Sequence, residues 1–261
     1  MNIVVLVKQV PDTTEMSIDK ETGTLIRTGV PTITNPDDLA GIEEALKIKD
    51  QIGAKVTAIT MGPTQSEEML RELLARGVDE VILLTDKRFA GSDTWATSNV
   101  LSKAISKLEY DLIISGRQAI DGDTAQVGPQ VAEKLGIPQI TYVNEIKEIN
   151  ENKIIVKKAL ENHDEIIEAQ LPCLITTLSG MNKPRYMTCN GIWECFDKEI
   201  IKWGQDDLGI EEDKVGLKSS PTKVRKTFTK EVLTQGNIYE GTNQEAVQLV
   251  LNYLQKEKFI S

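Results

Sequence analysis

Five short, largely apolar runs punctuate the first 143 residues: Ile3–Val7, Val56–Met61, Val81–Leu84, Leu112–Ile114 and Ile140–Val143. They are continuous rather than alternating, which marks strands buried on both faces. Helical patterns separate them. Strand–helix repetition of this kind predicts an α/β fold with a doubly wound, mostly parallel sheet. Right-handed crossovers then set the turns that follow the strands along one edge. The turns near 8–12, 61–63, 91–97 and 116–127 should therefore converge on one cleft. Hydrophobic content of 40% with only 5% aromatic residues suits such a core, built from Ile, Leu, Val and Ala.

The helix signals are local. Asn35-Pro36-Asp37-Asp38 offers a capping side chain, a proline for the first helical position and two carboxylates for the positive end of the dipole. Leu39, Ile42, Ala45, Leu46 and Ile52 follow at helical spacing, and Gly53 closes the element. Thr64 and Glu67 have the spacing of a capping box for a helix running to Gly77. Thr94 and Thr97 share one face at the start of a helix whose buried side is Val100, Leu101, Ala104, Ile105 and Leu108. They either hold a phosphate or simply cap the turn.

Residues 17–33 read as a hairpin excursion. Beyond Tyr142, the segments Ile146–Ile149, Ile154–Val156, Ile166-Ile167 and Leu174–Leu178 read as antiparallel strands that extend or cover the sheet. Residues 204–230 are polar and lack a clear period. A last amphipathic helix, Thr242 to about Lys256, has its own capping-box spacing with Glu245. The expected division is a nucleotide-binding domain over 1–200, then an extended arm and docking helix over 201–261.

A net charge of −10 and a pI near 4.8 argue against nucleic-acid binding, which needs a basic field. No run approaches the roughly 20 apolar residues that span a bilayer, and the N-terminus lacks a signal-peptide pattern. A cytoplasmic protein without membrane insertion is expected. Cys173, Cys189 and Cys195 form neither a disulfide framework nor a metal pattern, and His163 sits in a polar stretch and reads as exposed.

The stretch Gly116-Arg117-Gln118-Ala119-Ile120-Asp121-Gly122-Asp123-Thr124-Ala125-Gln126-Val127 follows the fourth apolar run and precedes a helical pattern. Ligands in parallel α/β sheets bind outside the carboxyl ends of strands, and helix N-termini there offer free N–H groups to anions. Pro129 is tolerated in a first helical turn but not deeper, so the helix should begin near Val127 or Gly128. That leaves a backbone-rich loop long enough to wrap a pyrophosphate, with Arg117 adding charge. Asp121 and Asp123 read as caps rather than acid–base or Mg²⁺ residues. No nucleophile elbow, Walker loop or dinucleotide fingerprint is present. A chain that holds a redox cofactor fits better than a hydrolase.

Over essentially its whole length the sequence resembles the β subunit of electron-transferring flavoproteins. The matching pieces are Val7-Lys8-Gln9-Val10-Pro11-Asp12, Asn35 to Asp38, Met61-Gly62-Pro63, Gly116 to Asp123, and Asn182-Lys183-Pro184-Arg185-Tyr186. The resemblance implies the adenine-nucleotide-binding fold of that subunit and a heterodimer with an α subunit that carries FAD, clasped by the C-terminal arm. It also implies a nucleotide on Leu6, Asn35, Pro36, Asp37, Asp38, Met61 and residues Gly116 to Val127. In simple members that nucleotide is a structural AMP; in the electron-bifurcating branch it is a second FAD. The motif Gly91-Ser92-Asp93-Thr94-Trp95-Ala96-Thr97-Ser98 resembles the bifurcating branch, with Thr94 and Thr97 at positions that contact the flavin nucleotide. Arg117 and Gly122 point the same way.

The implied reaction takes a hydride from NADH onto the β-subunit FAD. One electron then goes through the α-subunit FAD to a partner flavin dehydrogenase, and the other goes to ferredoxin or flavodoxin. Cys189 stands where simple members have a leucine that docks on acyl-CoA dehydrogenases. The partner is thus open between an acyl- or enoyl-CoA reductase and a lactate-type 2-hydroxyacid dehydrogenase. Two alternatives also stay open: a non-bifurcating carrier holding AMP, and a non-redox adenine-nucleotide module.

Overall fold

The structure, a computed structural model, describes residues 1–12, 31–223 and 238–260. The elements in chain order are β1 (Asn2–Leu6), β2 (Gln9–Pro11), β3 (Thr32–Thr34), α1 (Pro36–Ile52), β4 (Lys55–Met61), α2 (Glu67–Arg76), β5 (Glu80–Leu84), α3 (Thr94–Ile105) and β6 (Leu112–Gly116). Then come α4 (Val127–Leu135), β7 (Gln139–Ile149), β8 (Lys153–Ala159), β9 (Asp164–Gln170), β10 (Cys173–Thr177), α5 (Cys189–Glu194), β11 (Ile200–Trp203), α6 (Gln205–Leu208), α7 (Gly216–Ser219) and α8 (Asn243–Lys256). Most of the expected hairpin over 17–33 lies outside the described residues. At its described end, β3 pairs antiparallel with β2.

One nine-stranded sheet has the order β11-β5-β4-β1-β6-β10-β7-β8-β9. From β11 to the start of β7 all neighbours are parallel. Alternate side chains of β1 show why its run is unbroken. Ile3 and Val5 pack with Ile42, Leu46, Leu70 and Leu73 of α1 and α2. Val4 and Leu6 pack with Val100, Leu101 and Val131 of α3 and α4 on the other face. Each such side chain taken fully out of water contributes roughly 1.5–3 kcal/mol. Residues on both faces of one strand must therefore be apolar.

Three local expectations are corrected. Cys173–Thr177 is not an antiparallel cover strand. It lies between β6 and β7, parallel to both and buried along its whole length. The chain first leaves β7 for the antiparallel β8 and β9 at the sheet's edge, then returns inward. The Thr64/Glu67 capping box does not form: Thr64–Ser66 is a 3₁₀ turn, and Ser66 uses its hydroxyl on Gln9 Oε1. The compact unit runs from Met1 to Lys226 rather than ending at residue 200. β11 pairs with β5, and Trp203, Leu208 and Val215 join the α3/α4-side core.

The second unit spans Thr227–Ser261. Its helix α8 begins as expected, with Thr242 Oγ1 accepting the Glu245 amide and Glu245 Oε2 accepting the Thr242 amide. Val247, Val250, Leu251 and Tyr253 on this helix are exposed. Among the described residues, no helix is long and apolar enough to cross a membrane.

Candidate nucleotide site at the strand-order reversal

The order in which strands are added reverses at β1. The chain runs outward through β4 and β5 on one side, then resumes with β6 on the other. Such a switch point opens a crevice at the carboxyl ends of the two central strands. Asp38 bridges it. Its Oδ2 accepts the amide of Lys8, just past β1, at 2.8 Å, and its Oδ1 accepts the amide of Gly116, the end of β6, at 2.9 Å. Burial pushes the Asp38 carboxyl up to about 7, against the lowering effect of these hydrogen bonds.

The first turn of α1 is thus spent on holding loops. Asn35 does not cap its own helix. It is fully buried, donates from Nδ2 to the Gln118 carbonyl at 2.8 Å and accepts the Ile120 amide at 3.1 Å. A short amide side chain can do either task; here the neighbouring loop offers both a donor and an acceptor. Asp37 accepts the Ser179 amide at 2.9 Å, and its carbonyl accepts the Thr177 hydroxyl. Pro36 takes the first helical position, as read. The Asn35 side chain and both Asp38 carboxylate oxygens are engaged within the chain, so ligand contact by these two residues would come from backbone.

The loop from Gly116 to Val127 forms the crevice wall. Arg117 stands with its Nε 3.4 Å from Asp37 Oδ2 and its guanidinium carbon 5.9 Å from the ring centre of Tyr142. Both that Nε and that Oδ2 are buried without a hydrogen-bond partner among the described residues. Asp121 and Asp123 are not caps, a further correction. Asp121 accepts Lys8 Nζ at 2.6 Å, and Asp123 accepts Gln118 Nε2 at 2.7 Å. α4 begins at Val127, where Pro129 required it, with Gln126 preceding it and no side-chain cap.

The backbone just before α4 is unusual. Asp123 (φ 49°) and Ala125 (φ 52°) adopt the left-handed conformation, which costs an alanine about 1 kcal/mol or more. Gln126 follows Ala125 in the right-handed region. A left-handed residue followed by a right-handed one turns successive N–H groups to one side, a concavity that binds anions. Among the described residues, the amides of Thr124, Ala125, Gln126 and Val127 donate to no protein acceptor. These features fit a phosphate-bearing ligand.

The opposite wall is the start of α3. Thr94 Oγ1 donates to Gln126 Oε1 at 3.0 Å and accepts Gln130 Nε2 at 3.4 Å, so the threonine turn is joined to the loop. Thr97 lies one turn further on, half-buried. Asp93, not Thr94, caps this helix. Ser66 ties the turn after β4 and Met61 to Gln9. The four expected turns do converge. Of the remaining candidates, Ala119 closes the loop's inner turn by accepting two amides, while Ile120, Gly122 and Thr124 are exposed along the rim. The Leu6 side chain points into the α3/α4-side core rather than the crevice. Lys8 was missing from the sequence-derived site. Its signal was a cation directly after a buried strand at the predicted ligand edge.

A second surface surrounds α5. Tyr186, Trp193 and Phe196 are 83%, 80% and 71% exposed, three large aromatic side chains turned outward on one short segment. The loop leading to it is fastened to α1. Arg185 makes paired bonds to the buried Glu43 and one to Asp50, and Asn182 Nδ2 donates to the Ala40 carbonyl. Cys189 lies exposed at the start of α5.

Comparison with known proteins identifies the family. Residues 22–208 match the electron transfer flavoprotein domain. The chain is 53% identical to the electron transfer flavoprotein subunit beta of Thermoanaerobacterium thermosaccharolyticum, over all of both chains. It is 48% identical to the caffeyl-CoA reductase-Etf complex subunit CarD of Acetobacterium woodii, and 47% identical to the acryloyl-CoA reductase electron transfer subunit gamma of Anaerotignum propionicum. Each of these matches also covers both chains in full. With a reversal-point crevice that fits a phosphate-bearing ligand and full-length kinship to these subunits, this chain belongs to the electron transfer flavoprotein family, as a β subunit.

Proposed function

We propose that this chain is the FAD-holding β subunit of an electron-bifurcating flavoprotein, which works in the cytoplasm as a heterodimer with an FAD-bearing α subunit. The observation that carries the reading is the Thr94–Gln126 bond, which makes the threonine turn and the 116–127 loop one continuous rim. A rim continued by two threonine hydroxyls at a helix start suits a longer, pyrophosphate-bearing dinucleotide. Full-length kinship to subunits named for CoA-reductase complexes supports the same branch.

When bound, FAD supplies a centre that accepts a hydride from NADH and yields its two electrons singly, to ferredoxin or flavodoxin and, through the α-subunit FAD, to a partner flavin dehydrogenase. The chain's own residues bind and orient. The amides of Thr124 to Val127 would receive phosphate oxygens, Thr97 would add a hydroxyl donor, Thr94 would hold Gln126 and so join the helix start to the loop, and Arg117 would place a fixed cation beside the site. The side chains of Asp38 and Asn35 hold these groups in place rather than touch the ligand. Asp121 offsets part of the Lys8 charge, which moderates the field at the crevice mouth. The exposed Tyr186, Trp193 and Phe196 would dock the dehydrogenase, of CoA-reductase or lactate-type chemistry, and α8 would clasp the α subunit.

An anaerobic assay of the purified heterodimer tests this reading. NADH should reduce ferredoxin only when the partner dehydrogenase and its acceptor are present. NADH-driven reduction of the dehydrogenase that proceeds equally well without ferredoxin, and never reduces it, would favour the simple carrier.

A further inference from the structure

The start of α3 is enclosed by a segment more than a hundred residues away, and the site described above makes no use of that enclosure. Residues 216–222 wrap the turn from Arg88 to Asp93. Gly216 has a left-handed φ of 69°, and a Cβ there would lie 2.2 Å from the Arg88 carbonyl oxygen. Its amide donates to Ser92 Oγ at 3.1 Å, and the Leu217 amide donates to the Ala90 carbonyl at 3.2 Å. Gly91 backs onto Leu217 so closely that a Cβ would sit 3.0 Å from the leucine's own. The buried Ser220 accepts the Asp93 amide at 2.9 Å and donates to the Gly216 carbonyl at 2.9 Å.

Asp93 is where this enclosure meets the helix, and its two carboxylate oxygens serve different partners. Oδ1 accepts the Ala96 amide at 3.1 Å, the ordinary work of a cap. Oδ2 accepts both the amide (2.9 Å) and the hydroxyl (2.8 Å) of Thr222. A cap needs only the first oxygen, and serine serves about as well there. The second oxygen ties the helix start to the enclosing segment. That helix start carries Thr94, which reaches Gln126 across the crevice, and Thr97 on the same face. The tie therefore holds the helix start that forms one wall of the crevice.

We propose that Asp93 and Thr222 are positioning residues of the nucleotide site, fixing the start of α3 so that Thr94 and Thr97 face the 116–127 loop at the spacing a bound adenine-nucleotide cofactor requires. This rests on the reading above that the crevice holds such a cofactor.

The test uses the heterodimer with its α-subunit FAD in place, titrated separately with FAD and with AMP. Asp93→Ser keeps the cap and removes the tie, Asp93→Ala removes both, and Thr222→Val removes one of the two donors at an exposed position. Asp93→Ser should bind the β-site cofactor about tenfold more weakly, since bonds to a charged acceptor are worth about a decade of affinity or more. Thr222→Val should show a smaller loss, and Asp93→Ser combined with Thr222→Val should be no worse than Asp93→Ser alone. Wild-type affinity in Asp93→Ser, or losses that simply add in the double variant, would overturn the proposal. Thr222→Val keeps the test open should the Asp93 variants not fold: unchanged affinity there would overturn it as well. A wild-type heterodimer that takes neither FAD nor AMP at this subunit is a different result, and removes the cofactor reading beneath the proposal.

Discussion

The carboxylate of Asp38 accepts the amide of Gly116 at 2.9 Å, and the same carboxylate leaves Gly116 no room for a side chain. A Cβ at that position would stand 2.1 Å from Asp38 Oδ1 and 2.8 Å from the Asp38 amide nitrogen. One contact thus explains both the buried acid and the glycine that opens the loop. It fastens α1 to the end of β6 at the point where the strand order reverses.

Gly116→Ala must push backbone against backbone. It should cost about 3 kcal/mol, the upper end for overpacking, and should reduce the adenine nucleotide that co-purifies. Chemical denaturation and nucleotide extraction check the two effects. Unchanged stability would mean that α1 and β6 are not held this close.

Asp38→Asn replaces one acceptor oxygen with a donor, so either Lys8 or Gly116 loses its partner. A loss of about 1–3 kcal/mol is expected near pH 8. The pH dependence follows from the raised carboxyl. Its folded value is near 7 against an ordinary value of 3.8. Between these the native state binds more protons than the unfolded chain, so this group's contribution to stability falls as pH rises from about 4 to about 7. The asparagine variant does not titrate, and its deficit relative to wild type should widen as pH drops through that window. Urea denaturation at pH 5 and pH 8 measures it, and a deficit that shrinks at pH 5 would contradict the assignment.

Thr94→Ala together with Thr97→Ala should weaken cofactor retention by about 1–3 kcal/mol. Thr94→Ala alone should account for more of this than Thr97→Ala, because Thr94 also bonds Gln126. Equilibrium dialysis against FAD checks the order. Equal retention in all three variants would reduce the threonines to solvating the turn.

Arg185→Ala leaves Glu43, nearly buried, without its paired bonds. Because Arg185 is about one-third exposed, solvent screens part of the pair, and about 2 kcal/mol is expected rather than the 3–5 of a fully buried one. The exposed Tyr186–Phe196 surface should lose its fixed shape while the crevice keeps its nucleotide. Slower reduction of the partner dehydrogenase with unaltered cofactor content is the expected result; a parallel loss of both would show that α1 transmits the damage.

Much of this architecture was legible because its signals are local. Ile3–Val7 and Leu112–Ile114 are unbroken because both faces are covered, and Pro129 dates the start of α4 to within a residue. What stayed hidden depends on distant partners. β10 carries the same unbroken character as β6, yet it follows the β8–β9 excursion, and chain order alone placed it at the edge. Asn35 has the residue type of a cap, and only the nearness of Gln118 and Ile120 reveals that it clamps a loop. The tie from Asp93 to Thr222 spans 129 positions and leaves no local trace.

The most direct test of the central claim is the flavin count of the purified heterodimer, with extracted nucleotides identified by chromatography. Two FAD per heterodimer and no AMP is the result expected of a β subunit whose threonine turn completes a dinucleotide site. One FAD with one AMP would contradict it and assign the chain to the simple electron carriers.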